Sequence, residues 1–514
     1  MKTFDLVITG SGFAGSLLAM IARRQGHSVA LIERGKHPRF AIGESSTPLA
    51  NLLLEELAAR YDLPRIASFS NWGTWQSAYP HLPCGLKRGF TFLHHQFDKP
   101  WTEDAERRSE LLVAASPHDT IADTHWYRAD FDHFFVREAQ DFGAEYFDET
   151  ALERISWDGE HARIEGTRHG RPLSLRARFV IDASGPKGFL HRTLGLQPVD
   201  FDHLPATQAL YSHFTGVRHC AGTLHHAKDA PYPIDDAALH HVFEGGWLWV
   251  LRFNNGITSA GVAATGQLAD EFNFAEGLPA WNRLLERLLG VREQFAAAVA
   301  VLPFVHAPRL SFQSSQIAGS CWALLPSAAG FLDPLLSTGF PLTLLGVARL
   351  AGALEEDWSS PRFTERLESY AAQTREELLT AERLVAALYA NMSNFPAFAA
   401  LSLLYFAAAS FSETARRLGR PELAGAFLLS DHPKFGPELR GLCLAALKGI
   451  GPAESPAFID RVQRAIEPID VAGHGDRRRR NWYPVNASDL IAAGTKFHAA
   501  PGEIEALLMR SGFY

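Results

Sequence analysis

Cysteine is scarce: four in 514 residues (Cys84, Cys220, Cys321 and Cys443), far apart, with no CxxC pair. That excludes a disulfide framework and a structural zinc ribbon, and it points to a reducing cytoplasm. Positive charge is not in excess. The formal net charge of −8 gives no electrostatic case for nucleic acid. The basic run at residues 477–480 is short and follows Asp476, as a solvated loop does. No basic stretch with a cleavage site precedes the first strand, so no leader is expected. Long unbroken apolar runs are also missing. Residues 384–412 carry no formal charge but are interrupted by Asn391, Asn394 and Pro396, which reads as two buried helices and no membrane span. There is no internal repeat and no low-complexity tract. What is left is a globular composition, 46% hydrophobic and 11% aromatic, on a length that suggests two or three subdomains.

The most informative stretch is residues 5–33. An apolar run (Leu6, Val7, Ile8) ends in Gly10-x-Gly12-x-x-Gly15, a helical pattern follows, and a second apolar run (Val29 to Ile32) closes on Glu33. Gly10 makes the tight turn, Gly12 lets the backbone approach a pyrophosphate, and Gly15 lets helix and strand pack closely. The helix N-terminus holds the phosphates, and Glu33, about 20 residues on, accepts the ribose hydroxyls. This is a dinucleotide site in an α/β fold.

Further along, residues 49–60 carry a helical pattern, and the segment from Cys84 to Leu93 alternates as a strand. Residues 97–125 are charged and read as a surface excursion. A helix opens at Tyr127-Arg128 and runs to Gly143, and residues 150–180 read as a meander ending in Asp182-Ala-Ser-Gly185. Residues 206–265 hold several alternating strands, residues 324–346 return to the nucleotide domain, and from Val347 onward the pattern is mainly helical. Glycine-rich turns at 10–15, 182–185 and 330–339 are spread over the chain. That spacing favours FAD, a long cofactor buried across the whole protein, over NAD in one compact half.

Four segments together resemble the flavin-dependent halogenases, within the wider aromatic-hydroxylase type of flavoprotein: Gly10–Gly15, Gly43-Glu-Ser-Ser-Thr-Pro48, Asp182-Ala-Ser-Gly185 and Phe331-Leu-Asp-Pro334-Leu-Leu-Ser337-Thr-Gly339. Lys87, in Cys84-Gly-Leu-Lys87-Arg-Gly-Phe, matches the family's catalytic lysine, and its surroundings are most similar to the branch acting on phenols such as phloroglucinol. Trp247-Leu-Trp249 matches the first half of the family's WxWxIP motif, whereas Leu251-Arg252 replaces its Ile-Pro. Pro326-Ser327 stands where most relatives have Gly-Asp, and Leu336 stands where the tryptophan-type enzymes have a glutamate.

The resemblance implies a Rossmann-like FAD-binding domain of the aromatic-hydroxylase type, an antiparallel substrate sheet and a helical C-terminal region. The expected division is 1–84, 105–200 and 305–350 for the FAD domain, 85–104 and 201–304 for the substrate sheet, and 351–514 for helices over the substrate pocket. It implies cofactor contacts from Gly10, Gly12, Phe13, Ala14, Gly15 and Ser16, and from Glu33, Arg34 and Arg39. Gly43, Ser45, Ser46, Thr47 and Arg128 follow, then Asp182, Gly185, Phe331, Asp333, Pro334 and Gly339. The implied reaction is halogenation of an electron-rich, phenolic ring. Reduced FAD and oxygen give a flavin hydroperoxide, chloride or bromide attacks it, and Lys87 guides the hypohalous acid, either by hydrogen-bonding it through the ammonium or by becoming a haloamine through the amine. Backbone N–H groups at Ser337, Thr338 and Gly339 suit a halide. Burial in an aromatic strand lowers the pKa of a lysine, which favours the amine form of Lys87.

Trp247 and Trp249 share a strand face and are expected to wall the channel, with His95 a candidate base or substrate contact. Adjacent histidines on a strand (His94-His95, His225-His226, His240-His241) point to opposite faces, so no metal site is expected. No second nucleotide fingerprint is present, which implies a separate flavin reductase. The other partner is the small aromatic substrate; no nucleic acid and no membrane are expected, and the protein is read as a cytoplasmic monomer or homodimer. The rival reading is an FAD-dependent aromatic monooxygenase of the same fold, which Arg252 favours and Lys87 opposes. A non-enzymatic flavin-binding module is the other, against which a positioned lysine argues.

Overall fold

The structure, a computed structural model, describes residues 1–159, 161–224 and 229–514; the His225-His226 pair lies outside the described residues. Strand β1 (Lys2–Thr9) turns at Gly10 into helix α1 (Phe13–Arg24), and β2 (Val29–Ile32) lies parallel to β1, Leu6 opposite Val29. All four residues of β2 are buried, as a parallel strand covered on both faces requires. Helix α2 (Pro48–Arg60) starts where the Thr47 hydroxyl accepts from the Ala50 N–H, with Pro48 in the first turn.

The chain then leaves for a second sheet and a separate two-stranded one. Strands β3 (Cys84–Lys87), β4 (Gly89–His94), β5 (Glu110–Ala114) and β6 (Asp123–Trp126) follow, with β3 and β6 paired to each other and β4 paired to β5. Helix α3 (Arg128–Asp141) packs on α1, and β7 (Glu145–Phe147) extends the first sheet beyond β2. The meander β8 (Thr150–Asp158), β9 (His161–Arg168) and β10 (Arg171–Asp182) ends with β10 parallel to β1.

A second excursion builds β11 (Thr207–Thr215), β12 (Ala238–Phe243), β13 (Gly246–Arg252) and β14 (Thr258–Thr265), covered by helix α4 (Leu278–Arg287) and extended by β15 (Val305–Ala307). Strand β16 (Trp322–Leu324) returns to the first sheet beside β10. Helices α5 (Gly339–Glu356), α6 (Arg362–Ala390) and α7 (Phe395–Arg417) close the molecule, and the short strand β17 (Trp482–Tyr483) docks on β5. The first sheet therefore runs β16-β10-β1-β2-β7. The second is antiparallel except where β4 meets β12 and β17 meets β5.

Three expected boundaries need correction. Residues 97–125 are not a surface excursion throughout: Leu111, Leu112 and Val113 are buried in β5, and β6 is buried along its length. Charged flanks hide this short apolar core. Residues 110–114 thus belong to the second sheet, not to the FAD domain, and so do residues 305–307, where Ala307 pairs with Ala209. Trp482 pairs with Leu112, so the C-terminal region completes that sheet as well as covering it.

The second sheet separates two cores. Trp247, Trp249 and Leu251 face the larger one, shared with the FAD sheet and the C-terminal helices, whereas Leu248 and Val250 face α4. Helix α7 lies along β4 on the larger core's side: Phe395 stacks on His94, Phe398 meets Phe92, and Phe406 meets Phe90. Segments Leu335–Glu356 and Phe395–Arg417 are long and apolar enough to cross a membrane, but 72% and 83% of their most apolar windows are buried inside the protein.

Candidate active site

The nucleotide end is built by glycine. Gly10 has φ +92°, and a Cβ there would lie 2.5 Å from the Ala183 carbonyl oxygen. A Cβ on Gly15 would lie 2.0 Å from the Gly10 carbonyl oxygen, so α1 seats directly on the turn. Gly12 caps α1 without a side-chain acceptor, which leaves the first-turn N–H groups available to an anion. Glu33 accepts from Ser11 Oγ at 2.9 Å, Gly35 N at 2.9 Å and Arg39 at 3.2 Å. Burial pushes its pKa up, but Arg39 and these donors outweigh burial and hold it below the usual carboxylate value. Around it, Tyr146 Oη, His37 Nδ1 and Arg39 Nε are buried without a hydrogen-bond partner. Gly185 and Gly339 open onto space that a Cβ would enter unopposed. Unfilled donors, an uncapped helix and open glycines fit a dinucleotide. Ser11, His37 and Tyr146 carry no motif, and only the folded chain gathers them here.

Several expected cofactor contacts have other work. Asp182 accepts from Thr9 Oγ1, Ser184 and Leu190 N, so it braces the turn instead of facing a ligand. Asp333 accepts from Trp247 Nε1 at 3.1 Å, Tyr389 Oη at 2.8 Å and Leu335 N at 3.0 Å. It is a tie between the Phe331–Gly339 segment, β13 and α6. Arg34 is exposed. Arg128 grips Asp132 through two nitrogens and donates to the carbonyls of Ile42 and Gly43, which anchors the Gly43–Pro48 strap beside α1. Ser46 Oγ donates to Thr124 O, and Thr47 caps α2. Phe13 packs on Trp126 and Phe340, and Ala14 and Ser16 are buried in α1.

Lys87 ends β3 and is fully buried. Its ammonium donates to Ser45 Oγ at 2.9 Å and to the Ser46 carbonyl, and sits 3.8 Å from the Phe90 ring centroid. Burial lowers its pKa and the buried Asp123 carboxylate opposes that. Burial likewise raises Asp123, so the two share their protons as a pair. The histidines felt by Lys87 are His125 and His240, both lowered to about 3 by burial and by the lysine's charge. His95 is not among them. It hydrogen-bonds His241, which in turn meets Gln294, in the core beneath α4. Along β12 the alternation turns His240 toward Trp247 and Lys87, and His241 away. No group of three or more His, Cys, Asp or Glu residues converges on a metal-sized point among the described residues.

Trp247 and Trp249 share a face with centroids 5.6 Å apart. Gly261, opposite Trp249, makes room for its indole: a Cβ there would lie 2.3 Å from the ring. Arg252, offset by an odd number of residues, points to the other face. It holds Asp235 and the carbonyls of Val217 and Arg218, clear of the tryptophans. Beyond Asp333, Leu336 and Ser337 take left-handed φ values of 63° and 53° and lead into α5, whose N-cap Thr338 supplies no side-chain acceptor. The bent backbone thus runs into a helix start whose first-turn N–H groups have no side-chain cap.

A parallel nucleotide sheet assembled from separated segments, with a second sheet and a buried lysine against it, defines an FAD enzyme of the aromatic-hydroxylase type. The chain belongs to the tryptophan halogenase family, whose model matches residues 5–394. It is a flavin-dependent halogenase, an enzyme that uses FAD and a halide co-substrate to halogenate an electron-rich aromatic ring. Monodechloroaminopyrrolnitrin halogenase PrnC of Pseudomonas fluorescens is 30% identical over 404 residues, 76% of this chain and 69% of that protein. Tetracycline 7-halogenase of Kitasatospora aureofaciens is 28% identical over 419 residues, 77% of this chain and 71% of that one. The halogenase PltM, solved with phloroglucinol and FAD, superposes with a TM-score of 0.81 at 25% identity, over 93% of this chain and 99% of that chain.

Proposed function

We propose that the chain chlorinates or brominates a free phenolic ring and that Lys87 delivers the halogen. The observation that carries this is Lys87 itself: an amine with no exposed surface, fixed by Ser45 and Ser46 on one side and by Phe90 on the other. A lysine so costly to bury is retained where its charge or its nitrogen is used. When bound, FAD reduced by a separate flavin reductase would supply, with oxygen and halide, the hypohalous acid. Gly10, Gly12, Phe13, Ala14, Gly15, Ser16, Glu33 and Arg39 hold the cofactor's adenosine and pyrophosphate. Gly43, Ser45, Thr47, Gly185, Pro334 and Gly339 border its other half, and the N–H groups after Ser337 hold the halide. Lys87 hydrogen-bonds the hypohalous acid and orients its halogen toward the ring. Trp247 and Trp249 line the way and keep water from it. The likeness to PltM, solved with phloroglucinol, supports a free phenol.

The test is an incubation of purified protein with FAD, a flavin reductase, oxygen and bromide over a panel of free phenols. A product heavier by one bromine for hydrogen is expected. A product heavier by one oxygen would establish the monooxygenase instead. Lys87→Ala is expected to abolish halogenation while FAD stays bound; unchanged turnover would remove Lys87 from the reaction.

A further inference from the structure

We propose that Asp123 accepts the hydroxyl of the aromatic substrate next to Lys87 and takes its proton as the halogen is transferred; this rests on the phenolic reading above. Strands β3 and β6 pair so that Lys87 stands directly opposite Asp123 and both side chains leave the same face. The two do not form an ion pair. The ammonium turns to Ser45 and Ser46, and Asp123 Oδ1 accepts from Asn51 Nδ2 at 2.8 Å. Asp123 Oδ2, on a residue only 5% exposed, has no hydrogen-bond partner. A buried carboxylate oxygen without a donor is an incomplete site. The neighbours do not complete it. On α7, Arg417 is held by Glu413 and Glu55, and Tyr405 packs toward Phe90. On the same strand His125 is neutral and donates from Nε2 to the Ala237 carbonyl. Phe90 and Phe406, packed edge to face, make the adjacent surroundings apolar and aromatic, as suits an aromatic ring.

The step balances. The phenol O–H proton moves to Asp123 Oδ2 as a ring carbon attacks the halogen; the C–X bond forms and the X–O bond breaks. The departing hydroxide takes a proton from the Lys87 ammonium and leaves as water. The resulting dienone loses its ring C–H proton to the Lys87 amine, and Asp123 returns its proton to the oxygen. Lysine and carboxylate are restored, and the net change is ring C–H plus hypohalous acid to ring C–X plus water.

Asp123→Asn keeps the shape and removes the base. Compared with wild type, with reductase, FAD and bromide present, it is expected to lose about 10²-fold or more in kcat on a phenol of ordinary acidity. An acidic nitrophenol, already ionised at neutral pH, should lose far less. Wild type should prefer a phenol to its methyl ether by about 10²-fold or more, and the variant should not. Equilibrium dialysis of the phenol against FAD-loaded protein gives a readout free of turnover, and the thermal midpoint with FAD reports folding. If Asp123→Asn does not fold, Asp123→Glu, which retains the carboxylate, is expected to keep the ether discrimination. Equal kcat/KM of Asp123→Asn and wild type on both phenols would overturn the proposal, as would a wild type that neither binds phenols nor discriminates ethers. Asp123-dependent phenol binding with an oxygenated product would sink halogenation and leave Asp123 as the hydroxyl acceptor.

Discussion

At the scale of single residues, the site depends on polar groups that have been taken out of water. Asp333 is the clearest. Burial, against the pull of Leu335 N, Tyr389 and Trp247, lifts its pKa to about 6. Its folded value lies above the unfolded one of about 3.9, so its contribution to stability is full below that pH and is lost as the pH rises through about 6. Asp333→Asn removes the titration. The thermal midpoint of the variant relative to wild type should therefore climb between about pH 4 and pH 6, by the equivalent of about 2 kcal/mol. Asp333→Ala shows the same pH dependence and also leaves the Trp247 and Tyr389 donors unpaired, which should add a further cost of about 1–3 kcal/mol. Gly15→Ala tests the nucleotide turn. Its methyl would meet the Gly10 carbonyl at 2.0 Å, so FAD affinity measured by flavin fluorescence should fall at least tenfold. Of these residues Gly15 was legible, because its role is local. The partners of Asp333 lie on β13 and α6 and have no spacing that announces them.

At the scale of elements, helix α7 closes the aromatic core over β4. Its residues 395, 398 and 406 track His94, Phe92 and Phe90 along β4, so the helix and the strand that follows Lys87 share one aromatic seam. Pro396 in the first turn and Arg416 and Arg417 in the last suit a helix of this length. Phe398→Ala should cost about 3–5 kcal/mol, read as a lower thermal midpoint with the nucleotide end intact. The helix itself was legible as a charge-free run broken by Asn391, Asn394 and Pro396. Its seat on β4 was not, because periodicity gives a face and no address. The strands β5 and β6 were misread for the opposite reason. Their buried residues are few, and the charged neighbours dominate any window wide enough to judge.

At the scale of the whole molecule, the chain crosses between its two sheets several times, and each sheet needs segments from both halves. Neither sheet can close alone. A chain ended after residue 394 keeps the stretch matched by the family model but loses α7 and β17, and it should fail to bind FAD and should aggregate on its exposed β4 face. The full chain should melt in one transition whose midpoint rises with FAD, since a ligand at 100 times its Kd adds about 2.7 kcal/mol. The sequence alone determined the nucleotide turn and the return of separated segments to its sheet, because glycine geometry and strand alternation act over a few neighbouring residues. Only tertiary structure decided that Asp123 faces Lys87, that His240 and not His95 borders it, and that Arg252 turns away from the tryptophans. Those are matters of which strand lies beside which and which face it presents, and strand pairing is settled by the burial of the whole core.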